Sequence, residues 1–496
     1  MLERPLWDII GSCYKHRSAA FTPERLGRTP AEAILVSILC RSLVLPPQTG
    51  EKYWISKHNW HIGLSEREKT HHMPQHQLAG YLTAGNRRSR LSRSLVVTLA
   101  LELFVGVVAV SAQDAPADPN APAKPHLDTS GFAMLDSGYD FKQNDPNWFD
   151  VMRPTKLPSF TDQFGKDGNW YMGVRQSRLS FKGYVPTKLG ELKTIFEFEL
   201  FGTGADAGQT TFRLRHAWGE LGKFAAGQYW STFMDVDVYP NQLEYWGPSG
   251  ILWFRNVQAR YTVWSSGDSN LMIAAERPGA SADQGVYADR IALQGVKPRF
   301  PAPDITGHIR WGGKDGHIQF GGIYRRIQWD DLNATATRDL TGHVNGWGGT
   351  ASANLKFSKH VLRLQAVYGE GIQNYFNDAP QDVGIVNNFS NTKTPILGKA
   401  LPIVGLTGFL DLNWSEKVTS TIGYSRVDIR TTSTQGDTAF KSGQYALTNL
   451  LFYPVKDFML GPEFQWGYRD NRAGFHTPDY RIQFSARYNF SFRLGS

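Results

Sequence analysis

Residues 481–492 read Arg-Ile-Gln-Phe-Ser-Ala-Arg-Tyr-Asn-Phe-Ser-Phe, two residue classes that alternate without an exception. Ile482, Phe484, Ala486, Tyr488, Phe490 and Phe492 take one parity, and Arg481, Gln483, Ser485, Arg487, Asn489 and Ser491 take the other. A β-strand turns successive side chains to opposite faces, so the segment is a ribbon with one apolar face and one polar, partly cationic face. Half-buried strands of soluble sandwiches alternate as well, but their cores favour Val, Ile and Leu. Here aromatic rings fill the apolar face, as on a wall that meets lipid.

The pattern recurs from about Thr129 onward. Thr194, Phe196, Phe198 and Leu200 oppose Lys193, Glu197 and Glu199. Ile318, Phe320 and Tyr324 oppose His317, Gln319 and Arg325, and Phe458, Leu460, Phe464, Trp466 and Tyr468 oppose Glu463, Gln465 and Arg469. Sixteen such runs can be marked, each near the roughly 9 to 11 residues of a tilted membrane strand, and no apolar run after Ala112 approaches the roughly 20 residues of a membrane helix. Strands that cross lipid must close on themselves, because an open edge would leave backbone groups without partners. Short turns such as Gly313-Lys314-Asp315-Gly316 and Ser358-Lys359 alternate with eight long polar segments, at 140–169, 202–209, 231–250, 278–301, 328–345, 370–402, 430–442 and 470–478. The expected fold is all-β: a transmembrane antiparallel β-barrel of about sixteen strands over residues 129–496, with tight turns on the periplasmic side and long loops outside.

The formal net charge of +8 does not belong to that barrel. Residues 1–112 carry 14 Lys+Arg against 8 Asp+Glu, and the remainder carries 39 against 37. A nucleic-acid partner expected from basicity therefore loses its support. Both cysteines, Cys13 and Cys40, also lie ahead of the barrel. Residues 87–112 join a basic run, an apolar core and the small-residue exit Val110-Ser111-Ala112, the order of a secretory signal cleaved before Gln113. Residues 1–86 are read as a leader or an over-extended start, and residues 113–128 as a flexible Pro- and Ala-rich lead-in.

The most distinctive stretch lies at 170–261. Arg175-Gln176-Ser177-Arg178-Leu179-Ser180-Phe181-Lys182-Gly183 is followed by Arg213-Leu214-Arg215-His216-Ala217-Trp218-Gly219-Glu220 and Ala226-Gly227-Gln228-Tyr229-Trp230. Tyr239-Pro240-Asn241, Glu244-Tyr245-Trp246-Gly247-Pro248 and Phe254-Arg255-Asn256-Val257-Gln258-Ala259-Arg260-Tyr261 complete it. In these motifs the chain resembles the DcaP-like family of outer-membrane porins. The resemblance implies a homotrimeric sixteen-stranded barrel in the outer membrane of a Gram-negative bacterium, passing small anionic solutes, dicarboxylates among them. Two features depart from the family: residues 113–126 hold no heptads for the N-terminal coiled coil that members can carry, and four residues follow the terminal aromatic Phe492.

A pore is set by the field and width at its narrowest point. The third long segment, 231–250, is expected to fold inward and form that constriction with Asp235, Asp237 and Glu244. Arg213 and Arg215 share a parity opposite Phe212 and Leu214, Arg260 is in phase with Asn256 and Gln258, and Arg178 is inward by the parity of Leu179 and Phe181, which leaves Arg175 on the outer parity. A basic ladder of Arg178, Arg213, Arg215 and Arg260 facing an acidic loop would make a transverse field suited to carboxylates. Each arginine could equally be a structural partner for Glu197, Glu199 or the loop acids. No cofactor, metal-ligand spacing or nucleotide motif is seen, and the partners expected are outer-membrane lipid and small anionic solutes, without nucleic acid. The competing readings are a secreted β-sandwich lectin or adhesin, and an outer-membrane barrel hydrolase. The scattered histidines and the lack of a Gly-x-Ser-x-Gly elbow speak against the hydrolase.

Overall fold

The computed structural model describes residues 124–495, and the expected signal and leader segments lie outside the described residues. Sixteen strands form the wall: β1 (His126–Asp140), β2 (Arg178–Thr187), β3 (Gly190–Phe201), β4 (Thr210–Leu221), β5 (Phe224–Trp230), β6 (Arg255–Ser266), β7 (Ser269–Glu276) and β8 (Asp304–Gly313). They continue with β9 (Gly316–Asp331), β10 (Gly342–Phe357), β11 (His360–Glu370), β12 (Pro402–Ser415), β13 (Val418–Ile429), β14 (Phe440–Asn449, extended by Leu451–Phe452), β15 (Phe458–Asn471) and β16 (His476–Leu494). Each pairs antiparallel with its neighbours in the chain, and β16 closes on β1 from Leu127↔Leu494 to Asp140↔Arg481. Closure removes the edge that lipid could not satisfy, and it rules out the open layers of a sandwich. Among the described residues no helix is long and apolar enough to cross a membrane.

The faces follow the alternation. On β16, Arg481, Gln483 and Ser485 are 0% exposed, whereas Phe484 and Tyr488 are 48% and 57% exposed. His317, Gln319 and Arg325 on β9 and Glu463, Gln465 and Arg469 on β15 point inward, while Ile318, Phe320, Tyr324 and Phe464 point out. Exposed rings gather near the two ends of the strands: Tyr139, Trp170, Trp347 and Tyr368 toward the loops, and Trp264, Trp311, Phe357 and Trp414 toward the turns. These are the levels of the two membrane interfaces.

Two features break the simple parity. The run expected as one strand over 170–184 leaves the ladder at residues 174–177, so that Asn169–Gly173 and β2 both pair with β1 as separate pieces. Arg175, placed outward by counting parity, is instead fully buried, with Nη1 on Asp150 Oδ1 at 2.5 Å and Nη2 on the Gly202 carbonyl. On β4 the register jumps between Glu197↔His216 and Phe198↔Leu214, leaving Arg215 as an extra bulged residue. A bulge lets adjacent residues face one side, so Arg215 and His216 are both buried inward. The first strand also starts at His126, ahead of the expected Thr129.

Seven turns of two to five residues lie at one end, and eight segments, all but the last of them longer, lie at the other: L1 (141–168), L2 (202–209), L3 (231–254), L4 (277–303), L5 (332–341), L6 (371–401), L7 (430–439) and L8 (472–475). L3 does not stay outside. Its polar groups bond inward-facing side chains around most of the lumen: the Met234 carbonyl accepts from Gln319, Leu252 N–H donates to Gln365, Gly250 N–H to Ser425, and Leu243 N–H to Glu463. Phe233, Met234 and Leu252 of L3 pack with Ile372, Tyr375 and Phe376 of L6 against inward apolar residues of β9 to β14, among them Ile323, Val367, Ile403 and Val427. Gly250 makes this approach feasible, because a Cβ there would collide with the Arg426 and Leu406 carbonyls of the wall. Both loops thus fill one side of the lumen, and the free space is left against the other.

Candidate functional site

That free space is a cavity of about 660 Å³ between L3 and the inner faces of β1 to β6 and β16. The wall presents five guanidiniums to it: Arg178 (β2), Arg213 and Arg215 (β4), Arg255 (β6) and Arg487 (β16). Behind them stand two carboxylates of β3, in phase with the inner face. Glu199, 1% exposed, receives Arg213 Nε at 2.8 Å and Arg215 Nη1 at 2.6 Å, with Arg178 at 3.5 Å and Arg255 at 3.9 Å. Glu197 receives Arg215 Nε at 2.6 Å. Five cations against two anions leave a local excess of three positive charges on this wall.

The opposite side is aromatic. Tyr239, Tyr245, Trp246 and Trp253 of L3 and Phe376 of L6 line it, with Trp230 and Phe132 completing the rim. Tyr245 donates its hydroxyl to Glu199 at 2.5 Å and accepts from Arg213, so it ties the loop to the arginine wall. Its ring stacks on Phe201, with centroids 3.9 Å apart. L6 clamps the same turn, since Asn377 Nδ2 donates to the Trp246 and Pro248 carbonyls and Trp246 Nε1 donates to the Asn377 carbonyl.

The acids of L3 are engaged elsewhere. Asp235 accepts from His317 Nε2 and Ser352 Oγ, both at 2.7 Å, and pins the loop to β9 and β10. Burial works against its charge, but the hydrogen bonds from His317 and Ser352 and the nearby Arg310 guanidinium together outweigh burial and hold the carboxyl below its usual range. Asp237 pairs with Arg310 of β8. Glu244 borders the cavity, yet its carboxyl is turned into backbone: it accepts from the N–H groups of Met152, Trp246 and Gly247. Burial outweighs those donors and pushes it up to about 7.

Of the residues expected from sequence, then, Arg178, Arg213 and Arg215 converge on one cavity. Arg260 does not join them: it lies deeper toward the turns, opposite Ala225, with Nη2 on the Trp230 carbonyl at 2.5 Å and its guanidinium over Trp218. Asp235, Asp237 and Glu244 do not form an acidic face opposite the arginines, because each is consumed in fastening the loop. Arg255 and Arg487 were missed. Arg487 had a signal, a cation on the polar parity of a strand that closure sets beside β1. Arg255 had none, since by parity with Asn256 and Gln258 it counts as outward and reaches the cavity only where L3 meets the wall.

Asp235, Asp237 and His317 lie close enough together to be weighed as metal ligands. Arg310 already pairs with Asp237 and lies 2.8 Å from His317 Nδ1, so a second cation there would meet a resident one.

Residues 127–311 match the family described as DcaP outer membrane protein. The outer membrane channel DcaP of Acinetobacter baumannii has a TM-score of 0.62 at 19% identity, covering 77% of this chain and all of that one. The anion-selective porin from Comamonas acidovorans follows at TM-score 0.48 and 11% identity, over 74% of this chain and all of that one. The trimer form of OmpT from Vibrio cholerae scores 0.46 at 11% identity with the same coverage. No curated protein matches the sequence. At these identities the structural likeness is one of fold, that of an outer-membrane porin barrel, and residues 127–311 carry the sequence match to the DcaP outer membrane protein family.

Proposed function

We propose that this porin admits small hydrophilic solutes by passive diffusion, with a preference for anions and among them dicarboxylates. The observation that carries this is the charge imbalance of the cavity wall, where five guanidiniums face the lumen and only Glu197 and Glu199 stand behind them. Guanidinium forks match carboxylates in shape as well as sign. The selectivity arises locally, since the chain from residue 113 onward is close to neutral. Arg178, Arg213 and Arg215 act as the basic wall, and Asp235 and Glu244 hold L3 in place rather than supplying an opposing charge.

The working unit proposed is a homotrimer in the outer membrane, reached after removal of residues 87–112 as a signal. Pairing of β4 with β5 stops at Ala217↔Gln228, so among the described residues the loop-side half of β4 has no strand beside it on that flank. Phe212 there is 74% exposed. Lipid is a poor neighbour for such an edge, and a second subunit is a good one. Liposome swelling tests the solute preference: succinate should enter faster than a neutral sugar of similar size, and equal or slower entry would contradict it.

A further inference from the structure

Four of the five arginines of the cavity fall into two kinds, and Arg178 stands between them, 3.5 Å from Glu199 and 3.9 Å from Glu197 with no hydrogen bond at its Nε. Arg213 and Arg215 are spent on carboxylates, with short bonds to Glu199 and Glu197. Arg255 and Arg487 are not. Arg255 has only a long 3.9 Å approach to Glu199, and its Nη1 is buried without a hydrogen-bond partner. Arg487 has a buried Nε without a partner and no ion pair among the described residues.

What holds these two in place is aromatic. The guanidinium of Arg255 lies 5.2 Å from the Trp230 ring centre, whose neighbourhood also receives Arg215 at 5.5 Å. That of Arg487 lies 5.6 Å from Phe132, which receives Arg178 at 5.3 Å. A ring orients a guanidinium through its quadrupole without cancelling its charge or using its N–H donors. Both side chains line the cavity and are only partly buried, Arg255 at 17% side-chain exposure, so their remaining N–H groups stay within reach of an acceptor entering from the lumen.

From this we infer that Arg255 and Arg487 are the groups that recognise an anionic solute in the cavity, while Arg213 and Arg215 are positioning residues bound up with Glu197 and Glu199. The inference rests on the anion-passing function proposed above and adds to it which cations touch the solute. Arg255 borders a second cavity of about 250 Å³ as well, lined by Arg277, Asp304 and Tyr375, so it stands where two spaces meet. The solute class that fits is a small molecule with carboxylates at separated positions, one for each fork.

The test is the block of chloride current by succinate in single-channel recordings from planar bilayers. Arg255→Gln and Arg487→Gln should each raise the half-blocking succinate concentration about tenfold, the scale of one charge-assisted hydrogen bond. Arg472→Gln, at an ion pair with Asp437 in an external loop, should leave it unchanged. Should a Gln variant fail to reach the heat-modifiable form, the Lys variants at the same positions keep the charge but lose the fork, and a shift of about threefold is expected. If succinate blocks the parent channel but the variants at 255 and 487 stay within about twofold of it, while Arg213→Gln or Arg215→Gln shifts it, the inference is overturned and the anion preference stands. If the parent channel prefers cations and ignores succinate, the proposed function itself fails.

Discussion

Glu199→Gln isolates the electrostatic content of this structure. The carboxylate is fully buried among Arg213, Arg215, Arg178 and Arg255, and its replacement raises the excess on the cavity wall from three positive charges to four. For a monovalent ion roughly 6 Å away in a water-filled lumen, one added charge amounts to about 0.7 kcal/mol before screening and about 0.4 kcal/mol at 0.1 M salt. An anion gains that amount and a cation loses it, so the anion-to-cation permeability ratio should rise about fourfold. Zero-current potentials in a KCl gradient measure the ratio directly. Stability should move the other way. Removing one partner of a buried pair costs about 3–5 kcal/mol, and since Arg213 keeps 21% exposure the low end applies. The loss should appear as a lower temperature for conversion of the folded band in gel assays. An unchanged or reduced permeability ratio in a folded Glu199→Gln channel would refute the reasoning, because the wall would then not set the field.

Other consequences follow from how L3 is fastened. Asp235→Ala removes the acceptor of His317 and Ser352; it should cost about 3 kcal/mol and make single-channel conductance noisier, whereas a quiet, unchanged conductance would show that this anchor is dispensable. Gly250→Val forces a side chain against the Arg426 carbonyl and should push L3 toward the cavity, lowering conductance, with no change being the contrary result. Glu244, raised from its ordinary range to about 7, favours the protonated form in the folded protein. Its contribution is full below about pH 4.5 and is lost as pH rises through 7, so thermal stability should fall by up to about 3 kcal/mol over that window, and Glu244→Gln should flatten the profile. Phe484→Arg puts a charge on the lipid face and should cost about 2–4 kcal/mol and impair assembly, while unimpaired assembly would place that side chain away from hydrocarbon.

The wall was legible because lipid and water impose opposite demands on the two faces of every strand, and a period of two records them in each segment independently. Phe484 and Tyr488 on one side of Arg487 and Ser485 carry that message without reference to any other part of the chain. That the tight turns gather at one end of the barrel and the longer loops at the other was readable for a similar reason, since the two kinds of connection alternate along the sequence. Parity failed where the chain departs from a continuous ladder. The break at 174–177 turns Arg175 inward to Asp150, and the bulge at Arg215 sets His216 on the same face as its neighbour. The site was legible only in part, because the roles of charged groups depend on which partners the fold brings across the lumen. Asp235 and Glu244 are acids in an inward loop, as expected, but His317 and the N–H groups of Met152, Trp246 and Gly247 consume them. Arg255 lies on a strand end that only the path of L3 turns toward the cavity.

The direct measurement is the sign of the zero-current potential of the purified channel in a KCl gradient. With five guanidiniums and two carboxylates on the cavity wall, the potential should take the sign set by chloride crossing faster than potassium. A potential of the opposite sign, at neutral pH and moderate salt, would mean that the ions pass by a route these arginines do not line.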